Sequence, residues 1–368
     1  MPDLSLSTLR AAGEAAGLDA VGIAPATPFE STRGDLERRK AAGLHGGMQF
    51  TYRKPERSTD PGQALPGARC LVVGARRYPG PAATAPEPEG RPTARVAAYA
   101  GDDHYGALRS GLEAVARVLT DAGCAARVLV DDNALVDREA AYRAGLGWYG
   151  KSSNLLLPGQ GSWFVLGSVL TDADLPTNAE PVPDGCGACT RCIDGCPTGA
   201  IVAPGVVDAR RCLAWLVQAI GTFPAEHRVA LGDRIYGCDT CQEVCPPNRR
   251  APRSADDAPV PVLDLLASSD EELLARHGRW YIPRRDPAFV RRNALVVLGN
   301  VSDGSDPAVA EVLARYLRHH RPMLRAHAVW AARRLGREDL LAHLADDDDP
   351  EVRAELERAV VAPRVATR

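Results

Sequence analysis

The sequence predicts a mixed α+β protein in three parts. An N-terminal domain is built as α/β layers, a cysteine-rich segment follows, and a series of short helices closes the chain. Three observations carry this. Short apolar runs rich in β-branched residues alternate with helical periodicity as far as about residue 175. Eight of the ten cysteines lie between residues 186 and 245. Beyond Asp286, helix starts of related sequence recur at intervals of roughly thirty to forty residues.

A chain of 368 residues has room for two or three domains. With 45% hydrophobic and 25% charged residues it is globular rather than disordered. No apolar run approaches the ~18 residues of a membrane span. The start, Met1-Pro2-Asp3-Leu4, lacks the basic and apolar regions of a secretory signal. A cytoplasmic protein with no membrane partner is expected.

In order along the chain, residues 4–16 read as a helix and Ala20-Val21-Gly22-Ile23 as a short strand after a turn at Gly17. Residues 68–75 (ARCLVVGA) form a compact apolar run, the pattern of a buried strand. Residues 80–93 have the Pro/Gly/Ala bias of a surface loop. Helical spacing returns over 105–122, a strand is expected at 126–130, and a helix over 137–145 stops at Gly145-Leu146-Gly147. The run 162–170 (SWFVLGSVL) reads as a strand.

The C-terminal repeats begin Asp286-Pro287, Arg321-Pro322 and Asp349-Pro350. Pro in the first turn of a helix loses no hydrogen bond, because its missing N–H has no partner there. The copies resemble HEAT-type repeats, which stack to bury their apolar faces; an unrelated helical domain is the alternative. Charge is segregated in the same region. Residues 276–334 carry twelve arginines against four acids, in a chain of net charge −3. A protein basic all over is excluded, but a local polyanion site is not.

Clustered cysteines in a reduced compartment favour metal over disulfides. Cys186-x2-Cys189-x2-Cys192-x3-Cys196-Pro197 is the spacing of bacterial ferredoxins, in which the fourth cysteine serves the other cluster. The second run, Cys238-x2-Cys241-x3-Cys245-Pro246, lacks one cysteine, which Cys212 can supply. The sharing rule then gives one 4Fe–4S cluster to Cys186, Cys189, Cys192 and Cys245, and a second to Cys196, Cys212, Cys238 and Cys241. Zinc ribbons are the competing reading, but they do not require the x3-Cys-Pro step seen twice here. Cys70 and Cys124 are expected to be inert thiols. No GxGxxG follows a strand, so a dinucleotide site has little support.

The succession VDDNALVDREAAYRAGLGWYGKSSNLLL (130–157), CGACTRCIDGCPTGAI (186–201), DARRCLAWL (208–216) and YGCDTCQEVCPPN (236–248) resembles the epoxyqueuosine reductase family. RRNALVVLGN (291–300) and AHAVWAARRLG (326–336) extend the resemblance into the helical part. It implies an oxidoreductase of queuosine biosynthesis that reduces epoxyqueuosine to queuosine at the tRNA wobble position. Cobalamin would serve as cofactor, reduced through the two 4Fe–4S clusters. The implied domains are a cobalamin-binding catalytic domain at 1–178, a ferredoxin-like domain at 179–255 and a HEAT-like tRNA-binding domain at 256–368. A monomer using an external electron donor is expected.

By the family's motif the catalytic acid is Asp131, with a carboxyl pKa raised by burial so that it carries a proton near neutrality. Asp132 and Asp137 are rivals, read as a turn residue and as a helix-start residue paired with Arg138 or solvent. The resemblance also places Arg57, Lys151 and Ser153 at the cobalamin, with plain surface roles as the alternative. Trp148 and Trp163 are expected in the core. For tRNA, Arg284, Arg285, Arg291, Arg292, Arg321, Arg325, Arg333 and Arg334 are candidates, about half of them touching phosphate, while the acidic run 346–349 should point away. The chain departs from the family at Gly46-Gly47-Met48, Asp103-His104-Tyr105, Gly150-Lys151-Ser152 and Ala134. Competing functions are a corrinoid iron–sulfur reductase of a small molecule and a ferredoxin-like electron carrier.

Overall fold

The computed structural model describes residues 4–82, 91–177, 179–254 and 258–359. Most of the expected 80–93 loop therefore lies outside the described residues. Contacts divide the chain into two compact units, the first of residues 1–81, 101–212 and 239–254, the second of 82–100, 213–238 and 255–368. This differs from three consecutive stretches. Residues 213–238 leave the cysteine-rich segment because Leu213, Leu216, Val217, Phe223, Leu231 and Ile235 bury themselves in the core formed by the C-terminal helices.

The first unit is built on a four-stranded sheet in the order Ala20–Pro25, Cys70–Arg77, Phe164–Thr171, Ala126–Val130. Every neighbouring pair is antiparallel. Alternation of strands with helices signals the layers but not strand direction, so only the structure supplies it. Side chains alternate across the Cys70–Arg77 strand. Leu71, Val73 and Ala75 join a core with Phe29, Leu135, Ala140 and Ala141, which packs the Asp137–Arg143 helix against one face. On the other face Gly74 lies directly opposite Gly167 in register. A Cβ at either would come within 2.9 or 2.8 Å of Leu112, so the two glycines form the notch that seats the His104–Asp121 helix.

In the second unit a small sheet orders Arg234–Tyr236, Thr93–Val96 and Val260–Pro261. The helices Ala288–Val301, Pro307–Tyr316, Pro322–Arg334 and Pro350–Glu357 follow. The proline-led starts occur as expected, and the Pro307 helix adds one more, capped by the Asp306 carboxylate on the Ala308 N–H at 2.8 Å. Gly299 allows the first and third of these helices to close together: a Cβ there would stand 2.7 Å from the Trp330 ring. Among the described residues no helix is long and apolar enough to cross a membrane.

Candidate functional site

The Ala126–Val130 strand ends at Asp131, whose φ is 50°. Left-handed backbone costs a side-chain-bearing residue about 1–2 kcal/mol, less for aspartate than for most. Asp132 then closes the turn by accepting the Ala134 N–H at 2.9 Å, and the Ser58 hydroxyl donates to the Asn133 carbonyl at 2.6 Å. Although exposed at its edge, the Asp131 carboxyl is partly desolvated, and burial followed by the charge of Asp132 raises its pKa. The direction is the one the sequence required.

Asp132 is the turn residue expected. Asp137 does start its helix, but it is not neutralised by Arg138 or solvent. Its Oδ1 is buried without a hydrogen-bond partner, and burial, then the charge of Asp131, pushes its carboxyl well above the usual range against the pull of Arg138. Trp148 Nε1 and His45 Nδ1 are likewise buried and unpartnered. Nearby departures from the family find local reasons. Gly47 sits at φ 80°, a conformation that any residue with a side chain would strain. Asp103 caps its helix by accepting the Gly106 N–H at 2.9 Å, and His104 stacks on the buried Tyr78 at 5.2 Å.

Lys151 and Ser153 lie in a turn closed by the Gly150 N–H on the Asn154 carbonyl at 2.8 Å, with Ser153 at φ 66°. Their side chains hold the cysteine-rich segment. Lys151 Nζ donates to the Gly187 carbonyl at 2.7 Å, and the Ser153 hydroxyl donates to the Gly205 carbonyl at 2.8 Å. In return the Gly205 N–H donates to the Lys151 carbonyl at 3.0 Å. Arg57 is exposed in the short Pro55–Ser58 helix. Trp148 and Trp163 are buried, as expected.

All ten cysteines are unbridged. Burial and then the charges of Cys186, Cys192 and Cys189 push the Cys245 thiol up to about 11, so these four thiols share one neighbourhood. They are the four assigned to one cluster by spacing. Close packing of Gly195 on Val244, where a Cβ would approach to 3.3 Å, brings the two cysteine runs together. At Cys196, burial raises the thiol, but backbone donors at Thr198 and Ala200 outweigh it and the net shift is downward. The Ala200 N–H reaches its sulfur at 3.2 Å. Thr198 also donates to the Arg211 carbonyl at 2.6 Å, which draws the Cys196 loop to the residue before Cys212. Asn154 Nδ2 points at Cys241 Sγ, 3.8 Å away. Cys238 is the last residue of its stretch of the second unit. Among the described residues no three His, Cys, Asp or Glu side chains converge as a single ion would require. Cys70 is buried with its thiol raised mainly by desolvation, and Cys124 is half-buried.

A buried polar knot behind this site was not foreseen. Ser162 N–H donates to Asn248 Oδ1 at 2.7 Å, Ser162 Oγ to Gln242 at 2.9 Å, and Asn248 Nδ2 to the Gln242 carbonyl at 2.8 Å. It ties the Cys241–Cys245 run to the start of the Phe164–Thr171 strand. Gly161 is required there, because a Cβ would fall 1.9 Å from Asn248 Oδ1. The only signal in the sequence was Asn248 two residues beyond Cys-Pro.

The eight arginine candidates divide into buried and accessible groups. Arg292 is 0% exposed, and its guanidinium donates to the carbonyls of Leu216, Val217, Ala219 and Gly221. Burial, with the like charge of Arg228, pushes its pKa down to about 9. Arg291 is buried against Asp270 and the Ser268 carbonyl, and Arg334 is buried over the Trp330 ring. The Arg291 and Arg292 guanidiniums, desolvated and hydrogen-bonded in this way, have no face left for phosphate. Arg325 is held by Asp347 at 2.9 and 3.0 Å, so one acid of the 346–349 run neutralises a candidate rather than pointing away. Arg321 is paired with Asp286 at 2.6 Å, and Arg333 donates to the Glu355 carbonyl at 2.9 Å. Arg284 and Arg285 are exposed.

Residues 185–248 match the 4Fe-4S double cluster binding domain family, and residues 283–360 match HEAT repeats. The epoxyqueuosine reductase of Bacillus cereus is 33% identical over 332 residues, covering 87% of this chain and 86% of its own. That of Vibrio cholerae is 36% identical over 313 residues, covering 79% and 81%. Among solved structures, an epoxyqueuosine reductase crystallised with an epoxyqueuosine-modified tRNA-Tyr stem loop superposes with a TM-score of 0.86 at 30% identity, covering 95% of this chain and 96% of that one. The enzyme from Streptococcus thermophilus gives 0.86 at 26% identity, covering 95% and 97%.

Proposed function

The chain belongs to the epoxyqueuosine reductase family, and on that footing we propose that it reduces epoxyqueuosine to queuosine in the anticodon loop of tRNA. The epoxide oxygen leaves as water, consuming two electrons and two protons. The observation that carries the reading lies within the first unit. There Cys245 shares its surroundings with Cys186, Cys189 and Cys192, and the Lys151–Ser153 turn grips the same cysteine-rich segment.

The thiols fit iron–sulfur clusters in type and spacing. Cys186, Cys189, Cys192 and Cys245 would hold one, and Cys196, Cys212, Cys238 and Cys241 the other. Cobalamin, when bound, supplies a low-potential metal centre that accepts electrons singly from the clusters. The buried, unpartnered Trp148 Nε1 and Asp137 Oδ1 are polar atoms of the kind a bound group would satisfy. Arg57 would assist, while Lys151 keeps two N–H donors beyond the one on Gly187.

Asp131 acts as the general acid. Opening an epoxide develops alkoxide character on oxygen, and a neutral carboxyl donates its proton there. Its raised pKa keeps that proton available to a higher pH than an ordinary aspartate would. Burial also pushes the Asp137 carboxyl well above the usual range, so its ionisation beside Asp131 is disfavoured.

On this reading, residues 1–178 hold cobalamin, 179–255 carry the clusters and 256–368 receive tRNA. Arg284 and Arg285 are the strongest phosphate contacts, with Arg321 and Arg333 secondary. The enzyme works as a cytoplasmic monomer on electrons from an external donor. The test is anaerobic incubation of reconstituted protein, cobalamin and reductant with epoxyqueuosine-bearing stem loop, read by nucleoside mass spectrometry. Loss of one oxygen from the base supports the proposal.

A further inference from the structure

Tyr281 is the most exposed of the large hydrophobic residues described, at 59%. Its backbone is nevertheless fixed. The Tyr281 N–H donates to the Tyr236 hydroxyl at 2.7 Å. Before it, Trp280 is buried and stacked between Tyr236 at 4.7 Å and His277 at 4.2 Å. After it, Ile282 and Pro283 are buried. A side chain anchored on both flanks and still presented to water has been kept from collapsing onto the core.

The next two residues, Arg284 and Arg285, are exposed and both left-handed, at φ 55° and 52°. Adjacent non-glycine residues in that region are strained, a feature that gathers at ligand clamps. From Arg276 to Arg285 there are four arginines and no acid. The first acid beyond, Asp286, is already taken by Arg321. The exposed Arg284 and Arg285 therefore place positive charge three and four residues from the exposed aromatic face.

We infer that Tyr281 is a stacking platform for an unpaired base of the anticodon loop, with Arg284 and Arg285 gripping the adjoining phosphates. The inference rests on the tRNA reading above and deepens it. Aromatic faces accept any base, and guanidinium groups bind the backbone, so together they hold a single-stranded loop without reading its sequence. An acidic protein surface would use the same side chains but would not quench a base analogue, which is what the test reads.

The test uses the full chain with both clusters reconstituted and anticodon stem loops carrying 2-aminopurine at each unpaired loop position in turn. Tyr281→Leu should weaken binding roughly tenfold and abolish 2-aminopurine quenching, while Tyr281→Phe retains both. Arg284→Gln with Arg285→Gln should reduce the salt dependence of binding, which Tyr281→Leu leaves unchanged. Arg284→Gly should raise the melting temperature through relief of strain and still weaken binding. Wild-type binding with unaltered affinity and quenching in Tyr281→Leu overturns the platform alone. If the wild type itself binds no stem loop, the tRNA reading falls first.

Discussion

Lys151 Nζ lies 2.7 Å from the carbonyl oxygen of Gly187, a residue between the first two cysteines of the ferredoxin run. A residue assigned by family resemblance to the cobalamin therefore also clamps the loop that would hold a cluster. Because this charge-assisted bond is exposed to water, it contributes about 1 kcal/mol or less.

Lys151→Met should loosen the cluster loop. The expected result is several-fold faster iron release to a chelator under anaerobic conditions, with secondary structure unchanged by circular dichroism. Equal release rates would remove the clamp from the account.

The cysteine assignment predicts unequal consequences. Cys212→Ser should drop iron content from about eight to about four atoms per chain, by loss of one four-iron cluster. Cys70→Ser, altering a thiol in the sheet, should leave iron content unchanged. Iron analysis with EPR of the reduced protein checks both.

Much of this was legible in the sequence. The strands, the long 104–121 helix and the cysteine blocks carry local signals of periodicity and spacing. What was not legible depends on partners remote in the chain. Arg291 and Arg292 look like surface charge, yet the carbonyls that bury Arg292 come from residues 216–221. Asp137 looked like a solvated helix start, but the missing partner of its Oδ1 is visible only in three dimensions. The antiparallel directions of the sheet and the assignment of 213–238 to the second unit are non-local in the same way.

The burial of Arg292 separates stability from RNA binding. Arg292→Met leaves several carbonyls without donors and should cost about 3 kcal/mol or more, lowering the thermal midpoint by roughly 5 °C or more. Stem-loop affinity of the protein that remains folded should be unchanged. Thermal denaturation beside a binding titration checks this.

The Asp137 carboxyl, raised in the folded state, makes a contribution to stability that is full below its unfolded pKa and lost as pH rises through the folded one. Asp137→Asn cannot ionise. Its melting temperature minus that of the wild type should therefore increase with pH; a difference constant across pH would contradict the buried, protonated state.

The most direct test of the central claim is single-turnover conversion of an epoxyqueuosine stem loop by the anaerobically reconstituted enzyme, followed across pH. The account predicts queuosine from the wild type, with a rate that falls as pH rises through the Asp131 pKa, and none above background from Asp131→Asn that retains clusters and corrin. Unchanged epoxyqueuosine with a fully loaded wild type, or full activity in Asp131→Asn, would contradict it.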